Sequence, residues 1–179
     1  AFIEWWSSSL AKIPWVYTAH ACYSLNLGIL PLKHAYAAIC VSDAVKKHLS
    51  AYMPKKNYVV YNGLPKVPNL AKKTCKISDN KIKFLYVGRL TKIKGILFLI
   101  ETLSALKDCS WHLDVVGDGP LMEDAKTLTK QLSLDPKVTF VGYSPETDLF
   151  MLNSSCLLFP SFEEGMGLTL MRAAQLGMP

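Results

Sequence analysis

The stretch Phe159-Pro160-Ser161-Phe162-Glu163-Glu164-Gly165-Met166-Gly167-Leu168-Thr169-Leu170-Met171-Arg172-Ala173-Ala174 decides how this chain is read. The apolar run Cys156 to Phe159 predicts a short strand, Pro160 and Ser161 end it, and an acidic pair and two glycines lead into apolar residues at helical spacing. Strand, glycine loop and helix in that order describe a binding site. Glycines at the mouth of a helix let a ligand reach the first free backbone N–H groups, where the aligned peptide dipoles favour an anion. The carboxylate just ahead of them accepts hydrogen bonds from hydroxyls. Phosphate on one side and hydroxyls on the other suggest a nucleotide sugar.

Upstream, strand and helix patterns alternate. Ile82 to Val87 predicts a strand with a continuous apolar end, as a parallel sheet covered on both faces requires. The loop Gly88-Arg89-Leu90-Thr91-Lys92-Ile93-Lys94-Gly95 follows, and then a helix whose apolar positions 96, 99, 100, 103 and 106 keep the 3.6 period. Trp111 to Val116 is the next strand. Gly117-Asp118-Gly119-Pro120 then turns into a helix with Glu123 and Asp124 in its first turn and Leu121, Ala125, Leu128 and Leu132 along one face. A strand over Val138 to Val141 and a helix over Pro145 to Leu152 complete the alternation. The expected class is α/β with a doubly wound parallel sheet, whose ligands collect beyond the carboxyl ends of the strands.

The first part of the chain is less regular. Ala1 to Lys12 reads as the end of a helix, and Ile13 to Ala19 as a buried strand opened by Pro14 and ending at His20. Leu25 to Leu32 is too short for a crossover helix, being broken by Gly28 and Pro31, and Ala35 to Val41 is a second strand. Ser42 and Asp43 predict the cap of a helix over Ala44 to Tyr52, stopped by Pro54. Tyr58 to Tyr61 is a third strand, and Asn62-Gly63 a turn. Residues 64–81 carry prolines and lysines without apolar periodicity and read as a linker. The expected organisation is a first domain over 1–63, the linker, and a second domain over 82–179. The start at Ala1 and the close at Gly177-Met178-Pro179 suggest a piece cut at both ends.

Of 179 residues, 50% are hydrophobic and 19% charged, the make-up of a soluble globular protein. The longest apolar run, Ala35 to Val41, is far short of the roughly 20 residues that span a bilayer. Five cysteines, at 22, 40, 75, 109 and 156, are odd in number and form no Cys-x-x-Cys pair, which argues for reduced thiols and against a zinc site or disulfide framework. With no basic n-region ahead of an apolar stretch at Ala1, a cytoplasmic setting is expected. Residues 1–80 hold ten lysines against three acidic residues, whereas the remainder is close to neutral. That asymmetry fits peripheral contact with an anionic membrane or, equally, a solvated face. Nucleic acid is disfavoured, because the basic residues are almost all Lys and no binding motif accompanies them.

Three motifs in order, Val87-Gly88-Arg89-Leu90…Lys94-Gly95, Val116-Gly117-Asp118-Gly119-Pro120 and Pro160-Ser161-x-x-Glu164-Gly165-x-Gly167-Leu168, resemble the donor-binding domain of retaining GT-B glycosyltransferases of family 4. The resemblance implies two Rossmann-like domains, the first only partly present here, with 1–63 on the acceptor side and 82–179 on the donor side. It implies a donor-binding set of Gly88, Arg89, Lys94, Gly117, Glu164, Gly165, Met166, Gly167, Leu168 and Arg172, with Arg89 and Lys94 on the donor diphosphate and Glu164 on the hydroxyls of the donor sugar. His20, after a strand, is implied to line the cleft near the reacting sugar, giving His20, Arg89, Lys94 and Glu164 as the catalytic group. On the residues alone, His20 also reads as a histidine hydrogen-bonded to backbone, and Arg89 and Lys94 as solvated loop charges. One position departs from the family pattern, which has a second Glu eight residues after the first: here it is Arg172, which can only donate.

The activity implied is transfer of a sugar from a nucleotide-diphosphate donor to a glycan or lipid-linked acceptor of surface polysaccharide or lipopolysaccharide, with no cofactor and no metal. Charge building on the departing diphosphate would be neutralised by the two cations and the loop amides. Arg172 keeps open a degenerate GT-B protein that binds nucleotide sugar or a partner and transfers nothing. A GT-B epimerase would need further acid/base residues, and a dinucleotide oxidoreductase a Gly-x-Gly-x-x-Gly after a strand; neither is found.

Overall fold

Pro14 lacks the N–H that a strand ladder needs, and the first strand begins only after it. In the computed structural model, which describes residues 2–22, 27–66 and 81–179, helix α1 (Phe2–Ala11) ends where Lys12 takes a left-handed φ of 54°. Strand β1 covers Val16–Ala19, so the predicted strand from Ile13 loses its first three residues; Ile13 is 62% exposed. Strand β2 is Ala37–Cys40, helix α2 Asp43–Leu49 and strand β3 Asn57–Val59. The region read as too broken for a crossover helix winds as a 3-10 turn from Leu27 to His34 with Pro31 inside it. Residues 25, 26 and 67–80, the latter most of the expected linker and Cys75, lie outside the described residues.

Ser42 caps α2 as its sequence predicts: its side-chain oxygen accepts from the Val45 N–H at 3.3 Å, satisfying one of the orphan donors of the first turn. The helix tightens to a 3-10 turn over Ser50–Tyr52 ahead of Pro54. The three strands form a parallel sheet in the order β1-β2-β3, and Ala19, Cys40, Val41, Val45 and Leu49 are all but fully buried around it. These elements make one compact unit, Ala1–Gly63, to which Glu163–Gly167 also belongs.

The second unit, Leu64–Phe162 with Leu168–Pro179, holds the alternation read from the sequence. Strands β4 (Ile82–Val87), β5 (Trp111–Val116), β6 (Val138–Gly142) and β7 (Cys156–Leu157) are joined by helices α3 (Ile96–Ser104), α4 (Met122–Gln131) and α5 (Thr147–Leu152); helix α6 (Leu168–Gln175) follows β7. All four strands are parallel, in the order β6-β5-β4-β7. The chain walks outward from β4 to β6 and then returns to the other side of β4, so the topological switch point falls between β4 and β7.

The pleat sends neighbouring residues to opposite faces, and helices cover both. On one face Tyr86, Leu113 and Val115 pack with Ile96, Leu99, Ile100 and Leu103 of α3 and Ala125 of α4. On the other, Leu85, Val116 and Leu157 pack with Met151 of α5 and Ala173 of α6. The spacing on α3 therefore reports its buried face through position 103. Leu106 does not continue it: the helix has ended at Ser104, and Leu106 is 43% exposed. Helix α4 ends with Ser133 at a φ of 56° and the Leu134 N–H reaching back to the Thr129 carbonyl, a left-handed cap made without glycine.

One polar cluster interrupts the apolar interior. Asp114, 6% exposed midway along β5, pairs with Lys83 at 2.9 Å and His112 at 3.2 Å, both second in their strands. A buried carboxylate needs such partners, because desolvation without them costs several kcal/mol. Replacing Lys83 by Met should lower the unfolding free energy by about 2 kcal/mol, seen as a fall in the urea midpoint at unchanged slope. Lys126→Met, which breaks the exposed pair with Glu123, should cost no more than about 0.5 kcal/mol in the same measurement.

Candidate functional site

At the carboxyl ends of β4, β5 and β6, the loops are laced by backbone hydrogen bonds. The Gly88 N–H donates to the Val116 carbonyl at 3.0 Å, Leu90 to Asp118 at 2.9 Å, Leu121 to Leu90 at 3.1 Å, and Gly117 to Gly142 at 2.8 Å. Gly117 makes the approach possible: its φ is 137°, and a Cβ there would fall 2.0 Å from the Gly88 carbonyl oxygen. Asp118 turns its carboxylate onto the Gly119 N–H at 2.6 Å and closes the turn. From below, the buried Tyr86 hydroxyl lies 3.2 Å from the Arg89 carbonyl and 3.5 Å from that of Lys94, fixing both ends of the charged loop from the core.

Two cavities open at this end of the second unit. The first, about 390 Å³, is walled by Gly88, Arg89, Val116, Gly117 and Asp118, with Tyr143 at 80% exposure on its rim. The sequence-predicted residues Gly88, Arg89 and Gly117 thus meet around one hollow beyond three strand ends. The second, about 410 Å³, is lined by Thr147, Asp148, Leu168, Thr169, Arg172 and Pro65, and shares Val87 and Thr147 with the first. Lys94 closes the 3-10 turn Lys92–Lys94 and is half-buried.

Glu164, Gly165, Met166 and Gly167 belong to the first unit, with His20. His20 directly follows β1, and a Cβ at Gly165 would fall 1.9 Å from its carbonyl oxygen, so the absence of a side chain at 165 lets two backbones meet. Met166 packs on the core around Val45 and Leu49, and its sulfur accepts from the Asn62 N–H at 3.2 Å.

Arg172 is tied down on α6. Its Nε donates to Asp148 Oδ1 at 2.8 Å and its Nη2 to Asp148 Oδ2, a forked pair, while Nη1 donates to the Pro65 carbonyl at 3.0 Å and Gln175 Oε1 at 3.1 Å. The hydrogen bond from Arg172 holds the Asp148 carboxyl below the usual carboxylate value, against a smaller opposing effect of burial, and raises the guanidinium in turn. Asp148 and Tyr86 are the residues that sequence reading does not single out. Asp148 looks like an ordinary first-turn acid of α5, and Tyr86 like one more apolar position of β4.

This is an α/β fold of GT-B type, with cavities beyond the carboxyl ends of the strands of its second sheet. The sequence model of the family described as Glycosyl transferases group 1 matches residues 45–179, and the chain belongs to that family. The O-antigen biosynthesis glycosyltransferase WclY of Escherichia coli is 34% identical over 131 residues, covering 70% of this chain and 36% of WclY. The lipopolysaccharide 1,6-galactosyltransferase of Salmonella typhimurium is 29% identical over 107 residues, covering 56% of this chain and 30% of the enzyme. Among solved structures, Anabaena Alr3699/HepE in complex with UDP and glucose superposes with a TM-score of 0.80 at 19% identity, over 99% of this chain and 55% of that one. The chain thus spans about a third of the length of the curated relatives and about half of that structure.

Two outcomes follow from the site. Gly117→Ala places a Cβ against the Gly88 carbonyl and should lower stability by about 2 kcal/mol in urea unfolding. A carboxyl held below its ordinary value of 3.8 stabilises the fold at every pH above that value and loses its contribution as pH falls through the native one. Asp148→Asn should therefore be about 1 kcal/mol less stable than the parent at pH 7, and the gap should close as pH is taken below 3.8.

Proposed function

We propose that the chain is part of a retaining glycosyltransferase of family 4 that moves a sugar from a nucleotide-diphosphate donor to a glycan or lipid-linked acceptor of surface polysaccharide or lipopolysaccharide. The observation that carries this is Arg89 on the wall of a cavity beyond the ends of β4 and β5, where the Gly88 and Gly117 backbones converge. The names of the curated relatives support the acceptor class, and the HepE complex supports a nucleoside diphosphate as one ligand.

In this reading 82–179 holds the donor and 1–63 serves the acceptor. Breaking the bond between the anomeric carbon and the phosphate builds charge on the leaving diphosphate. Arg89, a planar fork, and Lys94, a mobile point charge, neutralise it, and the proposed reaction needs no metal ion. Glu164 accepts from hydroxyls of the donor sugar, and His20 stands near the reacting carbon. Rate then comes from positioning and electrostatics rather than from a covalent nucleophile. The setting proposed is the cytoplasmic face of a membrane, with the lysine-rich first half on anionic lipid; among the described residues no helix is long and apolar enough to cross a bilayer.

Calorimetric titration with UDP-, GDP-, ADP- and CDP-linked hexoses should find one donor bound with a dissociation constant between about 1 µM and 1 mM. Arg89→Ala should weaken that binding about tenfold or more, and the double change with Lys94→Ala further still. Parental affinity in the double variant would remove the diphosphate from these residues and the transferase reading with it.

A further inference from the structure

Arg172 has five N–H donors, and four are already directed at protein oxygens: two at Asp148, one at the Pro65 carbonyl and one at Gln175. Its charge is matched by the same carboxylate. The pair therefore leaves one uncommitted donor and no net charge, which makes Arg172 itself a poor receptor for phosphate. What the pair offers is acceptors. Each Asp148 oxygen takes one bond from Arg172 and has a further lone pair, and Thr147 and Thr169, whose hydroxyls both donate and accept, are on the same lining. The forked guanidinium holds the carboxylate in one orientation, and the hydrogen bond from Arg172 keeps its carboxyl below the usual value, so it is ionised in the physiological range. Two acceptors rigidly spaced on one carboxylate match two neighbouring hydroxyls. The cavity shares Val87 and Thr147 with the one that Arg89 lines, so the two adjoin.

We propose that Asp148 is a specificity-determining residue that accepts hydrogen bonds from a vicinal diol of the bound nucleotide sugar, and that Arg172 is the positioning residue that orients it. This rests on the nucleotide-sugar reading above. The carboxylate that takes hydroxyls comes from α5, and α6 supplies the cation that aims it. The diol is either that of the nucleoside ribose or that of the transferred hexose, since both present adjacent hydroxyls.

The test is calorimetric titration of the parent chain with the four common ribonucleoside diphosphates, their 2′,3′-dideoxy counterparts and the corresponding nucleotide hexoses. Asp148→Asn, Arg172→Gln and Arg172→Lys are titrated in parallel. If the ribose is the diol, the parent binds the ribonucleoside diphosphate at least about 30-fold more tightly than its dideoxy form, because two hydrogen bonds to a charged acceptor are lost. The ratio falls below about threefold in Asp148→Asn and Arg172→Gln and partly returns in Arg172→Lys. A merely structural ion pair would change both affinities alike and leave the ratio standing. If the hexose is the diol, Asp148→Asn weakens binding of the nucleotide hexose while the nucleoside diphosphate binds as in the parent. Equal affinities of parent and Asp148→Asn for both ligand types, with the parent binding normally, overturn the inference and leave the transferase reading intact. Absence of binding by the parent to every nucleotide overturns that reading, and this inference with it.

Discussion

Everything at the carboxyl end of the second sheet depends on three loops meeting through their main chains. The hydrogen bonds among Gly88, Leu90, Val116, Asp118, Leu121 and Gly142 are individually ordinary, each contributing about 1 kcal/mol net. Together they fix the loop after β4 against the loop after β5 at a distance that only a missing Cβ at Gly117 permits. The first cavity is the space left beside that contact. Arg89 acquires its place because its backbone is held from the side by these bonds and from beneath by the Tyr86 hydroxyl, although its own side chain is exposed.

The parallel sheet gives the unit a polarity. Lys83 and His112, near the amino-terminal ends of β4 and β5, reach to Asp114 midway along β5, so the buried carboxylate is matched inside the protein. The sheet's carboxyl ends carry glycines, exposed charge and hollows instead. Between them lie two apolar layers, one under α3 and α4 and the other under α5 and α6, packed on alternate residues of the same strands. The chain's return from β6 to β7 leaves the gap between β4 and β7 as the place where neighbouring loops diverge, and the lining of both cavities includes Val87 at the end of β4.

Much of this was legible in local pattern, because apolar periodicity records which side of an element is buried. Ile96, Leu99, Ile100 and Leu103 announce α3, Ser42 announces α2, and Ile82 to Val87 is a strand over its whole predicted length. The failures fall where non-local contacts or missing donors decide. Pro14 cuts β1 short, and Leu106 keeps the period after its helix has stopped. Of the candidate site, Gly88, Arg89 and Gly117, which the family resemblance names from their motifs, line one cavity, and Gly117 owes its place to a close backbone approach that a Cβ would block. Asp148 carries no such mark. Its partner is 24 positions away on another helix, and only folding shows that the guanidinium at 172 faces a carboxylate. Nor does the sequence show that Glu163–Gly167 packs with the first unit, while the residues on either side pack with the second.

The forked pair between α5 and α6 also constrains how such a protein can change by single mutational steps. Carboxylates facing one another at 148 and 172 would repel at close range in a partly buried place, so turning Arg172 into an acid is costly while Asp148 stands. Neutralising Asp148 first strands a guanidinium whose neighbours were arranged around its counter-ion. Either order crosses a disfavoured intermediate. What position 172 can become is therefore coupled to what stands at 148, although the two lie on different helices.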